Sequence, residues 1–151
     1  MRQLKYYEAI LEATDQIMAL DDTVYLIGLG VPDPKGIFGT TLGLQEKYGV
    51  NRVMDMPASE NAMTGVAIGS AITGMKPVMT HQRVDFFFLA LDQLINNAAK
   101  WNFMFGVRVP LVIRLIVGRG WGQGPQHSQS LHGILMHIPG IKIVMPSTPY
   151  D

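Results

Sequence analysis

The chain contains no cysteine, which removes disulfides, thiolate metal sites and cysteine nucleophiles at once. It has no net charge either: 12 Lys and Arg residues balance 12 Asp and Glu residues. No stripe of Lys and Arg breaks that balance, so nothing in the charge pattern calls for nucleic acid or an anionic membrane. Charged residues make up only 16% of the chain and hydrophobic ones 48%, a composition that excludes disorder and demands a buried core. Long uninterrupted apolar runs are missing as well. The longest apolar region, 84–105, is broken by Asp92, Gln93, Asn96, Asn97 and Lys100, so it does not read as a membrane span. The opening "MRQLKYYEAILEATDQ" carries charges where a signal peptide needs an apolar stretch, which makes a cytoplasmic location the expectation. There is no G-x-S-x-G elbow and no H-E-x-x-H zinc motif. A serine hydrolase and a metallohydrolase are thereby unsupported, and no metal site is expected.

What is present alternates in type. Apolar residues recur at helical spacing over 3–19, and short helices are expected at 40–49, 59–74 and 127–138, with a longer one at 84–104. Between them lie short, largely apolar runs without strict alternation at 23–30, 51–57, 76–81, 109–117 and 139–146. Strands that are apolar throughout, rather than alternating, are buried on both faces. With helices between them they predict an α/β three-layer sandwich, a mostly parallel sheet flanked by helices. At 151 residues the chain is one domain. "STPYD" follows the last expected strand directly where a doubly wound domain would add a helix, so the chain reads as cut short.

Ligands of open parallel sheets collect outside the carboxyl ends of the strands. That edge receives Glu60, the loop at 80–85 and the loop at 118–126. Glu60 stands where a strand stops and a helix of small residues begins. A first-turn carboxylate favours the helix dipole and caps free amides. It also suits a buried acid whose pKa is raised by apolar neighbours and which shares a proton with a ligand nitrogen. "GRGWGQG" lacks the Lys-Ser/Thr of a phosphate loop and reads instead as a lid rimming a cleft. His127, expected to open the last helix just after that loop, can face the cleft, whereas His132 and His137 read as packing or surface groups. The run 85–106 holds aromatics at 86, 87, 88, 101, 103 and 105. A helix apolar on all sides must be covered on all sides, so a subunit interface is expected there. The glycines and alanines of 61–73 permit close approach of another backbone or a flat ligand.

"GLQEKYG", "RVMDMPASENAMTGVAIGSAITGMKPV", "ALDQLINNAAK", "QHSQS" and "PGIKIVMPSTPYD" stand in order along nearly the whole chain. Together they resemble the pyrimidine-binding, transketolase-like domain of thiamine-diphosphate enzymes, specifically the β subunit of 2-oxo acid dehydrogenase E1 components. The resemblance implies thiamine diphosphate as cofactor and oxidative decarboxylation of a 2-oxo acid of pyruvate, branched-chain or acetoin type. It implies that Glu60 binds N1′ of the aminopyrimidine and exchanges a proton with it. By the same match Phe86 stacks on the pyrimidine, Ala58 and Gln82 line that ring, and His127 faces the substrate. The family holds the diphosphate and Mg²⁺ on a separate domain bearing G-D-G. No G-D-G occurs here, so an α-type partner is expected to hold them, and the lone chain is expected to be inactive. "THQRVDFFF" is more polar than the family pattern before Phe86, and "LIVGRGWGQGPQ" departs from its R-x-P-x-G loop. The substrate therefore stays open. Ketol transfer and a non-catalytic assembly or regulatory module are the alternatives.

Overall fold

The computed structural model of the chain describes residues 2–118 and 122–151. The first helix, α1 (Tyr6–Leu20), ends at Asp21, whose backbone turns extended and leads into β1 (Val24–Ile27). The ammonium of Lys76, 2.6 Å away, holds the Asp21 carboxyl far below the usual carboxylate range. Arg52 fastens the same corner, donating to the carbonyls of Met18 at 2.8 Å, Asp21 at 2.9 Å and Val24 at 2.8 Å. A short helix, α2 (Leu44–Tyr48), precedes β2 (Val53–Met54). Next come α3 (Glu60–Ile72) and β3 (Lys76–His81). A helical stretch, 84–105, is called α4, and β4 (Val112–Leu115) and α5 (His132–Leu135) complete the set.

The four strands form one parallel sheet in the order β2-β1-β3-β4. Successive side chains of β1 point to opposite faces, as strand geometry requires. Val24 and Leu26 join Met18, Val31, Ile37, Leu44 and Val53 on the α1 and α2 side. Tyr25 and Ile27 join Met56, Ala67 and Met79 on the α3 side. Helix α3 buries Thr64, Ala67, Ile68 and Ala71, spaced as one helical face. It packs on β3 and on α4 of its own chain. The close contact uses Gly65, where a Cβ would sit 3.5 Å from the Gln93 amide oxygen. Phe87, Ala90, Leu94 and Leu135 form a third cluster against Ile113 and Leu115 of β4. The expected α/β layering with a parallel sheet is what the chain adopts.

Three expectations are corrected. The run 139–146 forms no strand: Ile141 and Ile143 pack on the third cluster, while Lys142 and Val144 are exposed and no backbone among the described residues pairs with the segment. Its approach to α4 is so close at Gly140 (φ +94°) that a Cβ would lie 2.0 Å from the Ala99 carbonyl oxygen. The helix expected over 127–138 shrinks to α5, because Gln129 is instead drawn to the Asp85 carboxylate at 2.7 Å. His127 thus closes a short 3-10 turn, Pro125–His127, and does not open a helix. The expected single helix at 84–104 is continuous but irregular, with a 3-10 turn at Phe88–Ala90 and a π segment at Gln93–Ala98. Among the described residues, no helix is long and apolar enough to cross a membrane.

Candidate active site

Four segments leave the carboxyl edge of the sheet, one after each strand, and those after β2, β3 and β4 carry residues that the sequence singled out. Beyond β1 the backbone passes Gly28 and Gly30 and reaches a left-handed turn, Gly36–Gly39. There Ile37 (φ 38°) and Phe38 (φ 59°) have positive φ between two glycines. A β-branched residue in that region is strained, and such strain clusters at functional sites. The turn is held by Thr41 N–H donating to the Gly36 carbonyl at 2.9 Å, and by Thr40 Oγ1 donating to the Ile37 carbonyl at 2.7 Å.

Phe38 lines a cavity of about 520 Å³ together with Gln82, Arg83, Phe86, Gln123 and His127. Gln82 and Arg83 follow β3 directly, Phe86 stands in the first turn of α4, and Gln123 and His127 follow β4. The ends of β3 and β4 are joined by Ile116 N–H to the His81 carbonyl (3.4 Å) and by Val84 N–H to the Ile116 carbonyl (3.0 Å). That pairing brings the two loops together. A second groove, of about 480 Å³ beside Leu4, Leu11 and Leu44, is rimmed by charges already paired, Arg2 with Glu12 and Lys47 with Asp15.

Polar groups in the first cavity are mostly committed. Gln82 Nε2 donates to the Leu29 carbonyl at 3.1 Å. Arg83 donates from Nη1 to the Gln82 carbonyl at 2.7 Å and from Nη2 to Gln123 Oε1 at 2.8 Å, and its guanidinium carbon lies 5.0 Å from the Phe38 ring centre. His127 Nδ1 is 3.2 Å from the Gln123 carbonyl. A carbonyl oxygen only accepts, so Nδ1 carries the proton and, in the neutral ring, Nε2 keeps its lone pair. The His127 ring meets Phe86 edge-on, at 5.5 Å and 74°. Phe86 is 37% exposed. Behind the cavity, His81 is buried against Phe87 with ring centres 5.2 Å apart. Burial pushes its pKa down to about 4, which keeps the imidazole neutral.

Gln82, Phe86 and His127 are therefore brought together, whereas Ala58 and Glu60 lie outside this cavity. Ala58 is exposed and Glu60 only half-buried at the start of α3. The burial expected for Glu60 is not supplied by this chain, because small neighbours leave space around the carboxylate without covering it. Its backbone carbonyl accepts from Thr64 Oγ1 at 2.7 Å, while its carboxylate has no hydrogen-bond or ion-pair partner among the described residues. Arg119, Gly120 and Trp121 of the expected lid lie outside the described residues. Phe38, Arg83 and Gln123 were not anticipated. The glycine pair flanking Ile37 and Phe38 was the available signal for the first, and the lone arginine in "THQRVDFFF" for the second. Among the described residues no three His, Asp or Glu side chains are arranged to hold a metal.

Comparison with known proteins gives this edge a context. Residues 2–151 match the family described as "Transketolase, pyrimidine binding domain". The chain is 43% identical over 162 residues to the β subunit of acetoin:2,6-dichlorophenolindophenol oxidoreductase of Cupriavidus necator, covering 99% of this chain and 48% of that protein. It is 41% identical over 153 residues to the 2-oxoisovalerate dehydrogenase β subunit of Bacillus subtilis, covering 100% of this chain and 47% of the relative. With the pyruvate dehydrogenase E1 component β subunit of Gracilaria tenuistipitata var. liui the identity is 40% over 153 residues, covering 100% and 47%. The chain thus spans about half the length of the curated relatives it matches.

Proposed function

Because the chain belongs to the family of transketolase pyrimidine-binding domains, we propose that it is the pyrimidine-binding half of a thiamine-diphosphate enzyme. With an α-type partner subunit it would carry out the oxidative decarboxylation of a 2-oxo acid, as a dehydrogenase β subunit does. The observation that carries this reading is the convergence of Gln82, Phe86 and His127 on one cavity at the carboxyl edge of a parallel sheet.

The pyrimidine end of the cofactor suits the residues present. Phe86 offers a partly exposed flat ring, and Glu60 a carboxylate with no partner among the described residues. The diphosphate end has no such counterpart among them, and we assign it, with its Mg²⁺, to the partner. When bound, thiamine diphosphate supplies the carbon nucleophile that the 2-oxo group requires. Glu60 would hold a proton shared between its carboxylate and the pyrimidine nitrogen N1′. Since Glu60 is half-open to water here, the cover that excludes solvent from that proton must come from the partner side. Gln82 spends its amide N–H on Leu29 and keeps Oε1 to accept. His127, its Nδ1–H tied to a carbonyl, can hold or release a proton at Nε2 beside the substrate oxygen. The end of α4 belongs to the same picture: Phe103 is 94% exposed, with Met104 and Phe105 exposed beside it. We read this patch as covered by another subunit, in self-association of the chain.

Calorimetry with thiamine diphosphate and Mg²⁺ tests the half-site. Binding should be weak or undetectable with the lone chain and rise when the α-type partner is added. Micromolar binding by the lone chain would defeat the assignment.

A further inference from the structure

We propose that Arg83 is a positioning residue that sets the tautomer and orientation of His127, a role that rests on reading this cavity as the substrate side of the site. Arg83 is 4% exposed and leaves the end of β3 in an extended conformation (φ −148°, ψ 143°), so its side chain starts from fixed backbone. One nitrogen, Nη1, is held by the Gln82 carbonyl of the same strand end at 2.7 Å. The other, Nη2, reaches Gln123 Oε1 at 2.8 Å, 40 residues further along the chain. Gln123 stands between Gly122 (φ +69°) and Gly124 (φ +81°) in a stretch without helix or strand. Backbone of that kind is permissive, and the bond to Arg83 gives Gln123 a fixed place.

The consequence passes to the ring. The Gln123 carbonyl accepts from His127 Nδ1 at 3.2 Å, and His127 lies edge-on to Phe86 at 5.5 Å. Phe86 in turn stands three residues after Arg83 in the first turn of α4. Arg83, Gln123, His127 and Phe86 therefore make a closed circuit, three of its links non-covalent contacts or hydrogen bonds and the last the backbone of 83–86. A guanidinium suits this place because its planar fork donates to two carbonyl oxygens at once, while an ammonium offers a single nitrogen. The guanidinium carbon also lies 5.0 Å from the Phe38 ring centre, within reach of a cation–π attraction.

The test reads His127 directly. In the full chain without cofactor, the ¹⁵N chemical shifts of the His127 imidazole should report the Nδ1–H tautomer. Arg83→Met and Gln123→Ala should each move those shifts toward a mixture with the Nε2–H form, and Arg83→Lys should fall between. Gln123 is exposed, so Gln123→Ala keeps the fold even where Arg83→Met does not. Shifts unchanged in Gln123→Ala would overturn the proposal. In the complex reconstituted with its α-type partner, Arg83→Met should lower kcat by about ten- to a hundred-fold, the scale of a misplaced catalytic group, with KM little changed. A rise in KM alone, with normal His127 shifts, would put the guanidinium on the substrate and overturn the positioning role. A chain with no thiamine-diphosphate activity would leave the tautomer result standing, so the two failures are distinguishable.

Discussion

The start of α3 and the cavity between the β3 and β4 ends lie on the same edge of the same sheet, yet they are built in opposite ways. Around the cavity the lining side chains are tied to one another and to backbone: Gln82 to Leu29, Arg83 to Gln82 and Gln123, and His127 to Gln123, with Gln129 bound to Asp85 nearby. At the start of α3 the Glu60 carboxylate is half-open, the Ser59 side chain makes no capping bond, and Ala58 and Ser59 are exposed. Preorganised groups lose little entropy when a ligand arrives. A half-open carboxylate is shielded from water only by whatever comes to cover it. On the proposed reading the cavity residues would act as found, and the Glu60 end would be completed by a partner.

The largest effect expected is at the open end. Glu60→Gln keeps volume and hydrogen-bonding shape but cannot exchange a proton with N1′. In the enzyme reconstituted with its partner, H/D exchange at cofactor C2 should slow by about 10²–10⁴-fold, the usual scale of acid–base catalysis. Stability should change by less than about 1 kcal/mol, the scale of a first-turn carboxylate at a helix N-terminus. Near-normal exchange in the Gln variant would reduce Glu60 to a helix-end acid and erase the contrast.

Acid should instead break the committed end. Burial lowers the folded-state pKa of His81 to about 4 from its ordinary 6.5. Between those values the unfolded chain binds more protons than the folded one, so stability rises with pH across the window. The His81 contribution is complete above about pH 6.5 and lost progressively as the pH falls toward 4, a change on the order of 3 kcal/mol in total. Urea unfolding at a series of pH values measures it. His81→Phe should flatten that slope, and an unchanged slope would mean that His81 is not buried neutral.

Much of this was legible in the sequence, and the parts that were not share a cause. The strands at β1 and β3 and the small-residue helix are fixed by local patterns: continuous apolar runs, helical spacing, glycines at the ends. The segment 139–146 has the same local pattern, but a strand also needs a neighbour's backbone, and no residue within "PGIKIVMP" reports whether one is present. The last helix was overextended because Gln129 has its partner at Asp85, 44 residues earlier. Gln82, Phe86 and His127 could be assigned to one site through the resemblance. Arg83, Gln123 and Phe38 join it only through a left-handed turn and a loop-to-loop hydrogen bond, both of which exist in space alone. Glu60 is the opposite case, since small neighbours in sequence do not amount to enclosure in space.

A third region sharpens the comparison because it too is open, but apolar. If the exposed end of α4 is covered by a second copy, Phe103→Ser should weaken self-association by about 1.5–3 kcal/mol, the value of burying one large side chain. Sedimentation velocity at tens of micromolar would show the shift toward monomer. A strictly monomeric wild-type chain would count against the interface.

The smallest effects come from a matched pair of glycines, and they should have opposite signs. Gly30 has φ +74°, and a Cβ there would lie 2.7 Å from Gln82 Nε2 and 2.8 Å from Asp33 Oδ2. Its N–H donates to Asp55 Oδ1 at 2.8 Å, which fixes the turn in place. Gly30→Ala must adopt a left-handed conformation, costing about 1–2 kcal/mol, and must push the Gln82 amide off the Leu29 carbonyl. Gly69 lies inside α3 with helical backbone and nothing within 4 Å of its Cβ position. Gly69→Ala should therefore stabilise the lone chain by about 0.5–1 kcal/mol through the lower entropy of the unfolded state and better helix propensity. Urea unfolding of the two variants side by side decides the matter. Gln82 and Asp33 leave no room for a methyl group at Gly30, while α3 has room to spare at Gly69 in the lone chain. If Gly30→Ala were neutral, the close approach of Gln82 would not be holding that side of the cavity. If Gly69→Ala were destabilising, α3 would already be covered in the lone chain, and the open end would not be waiting for a partner.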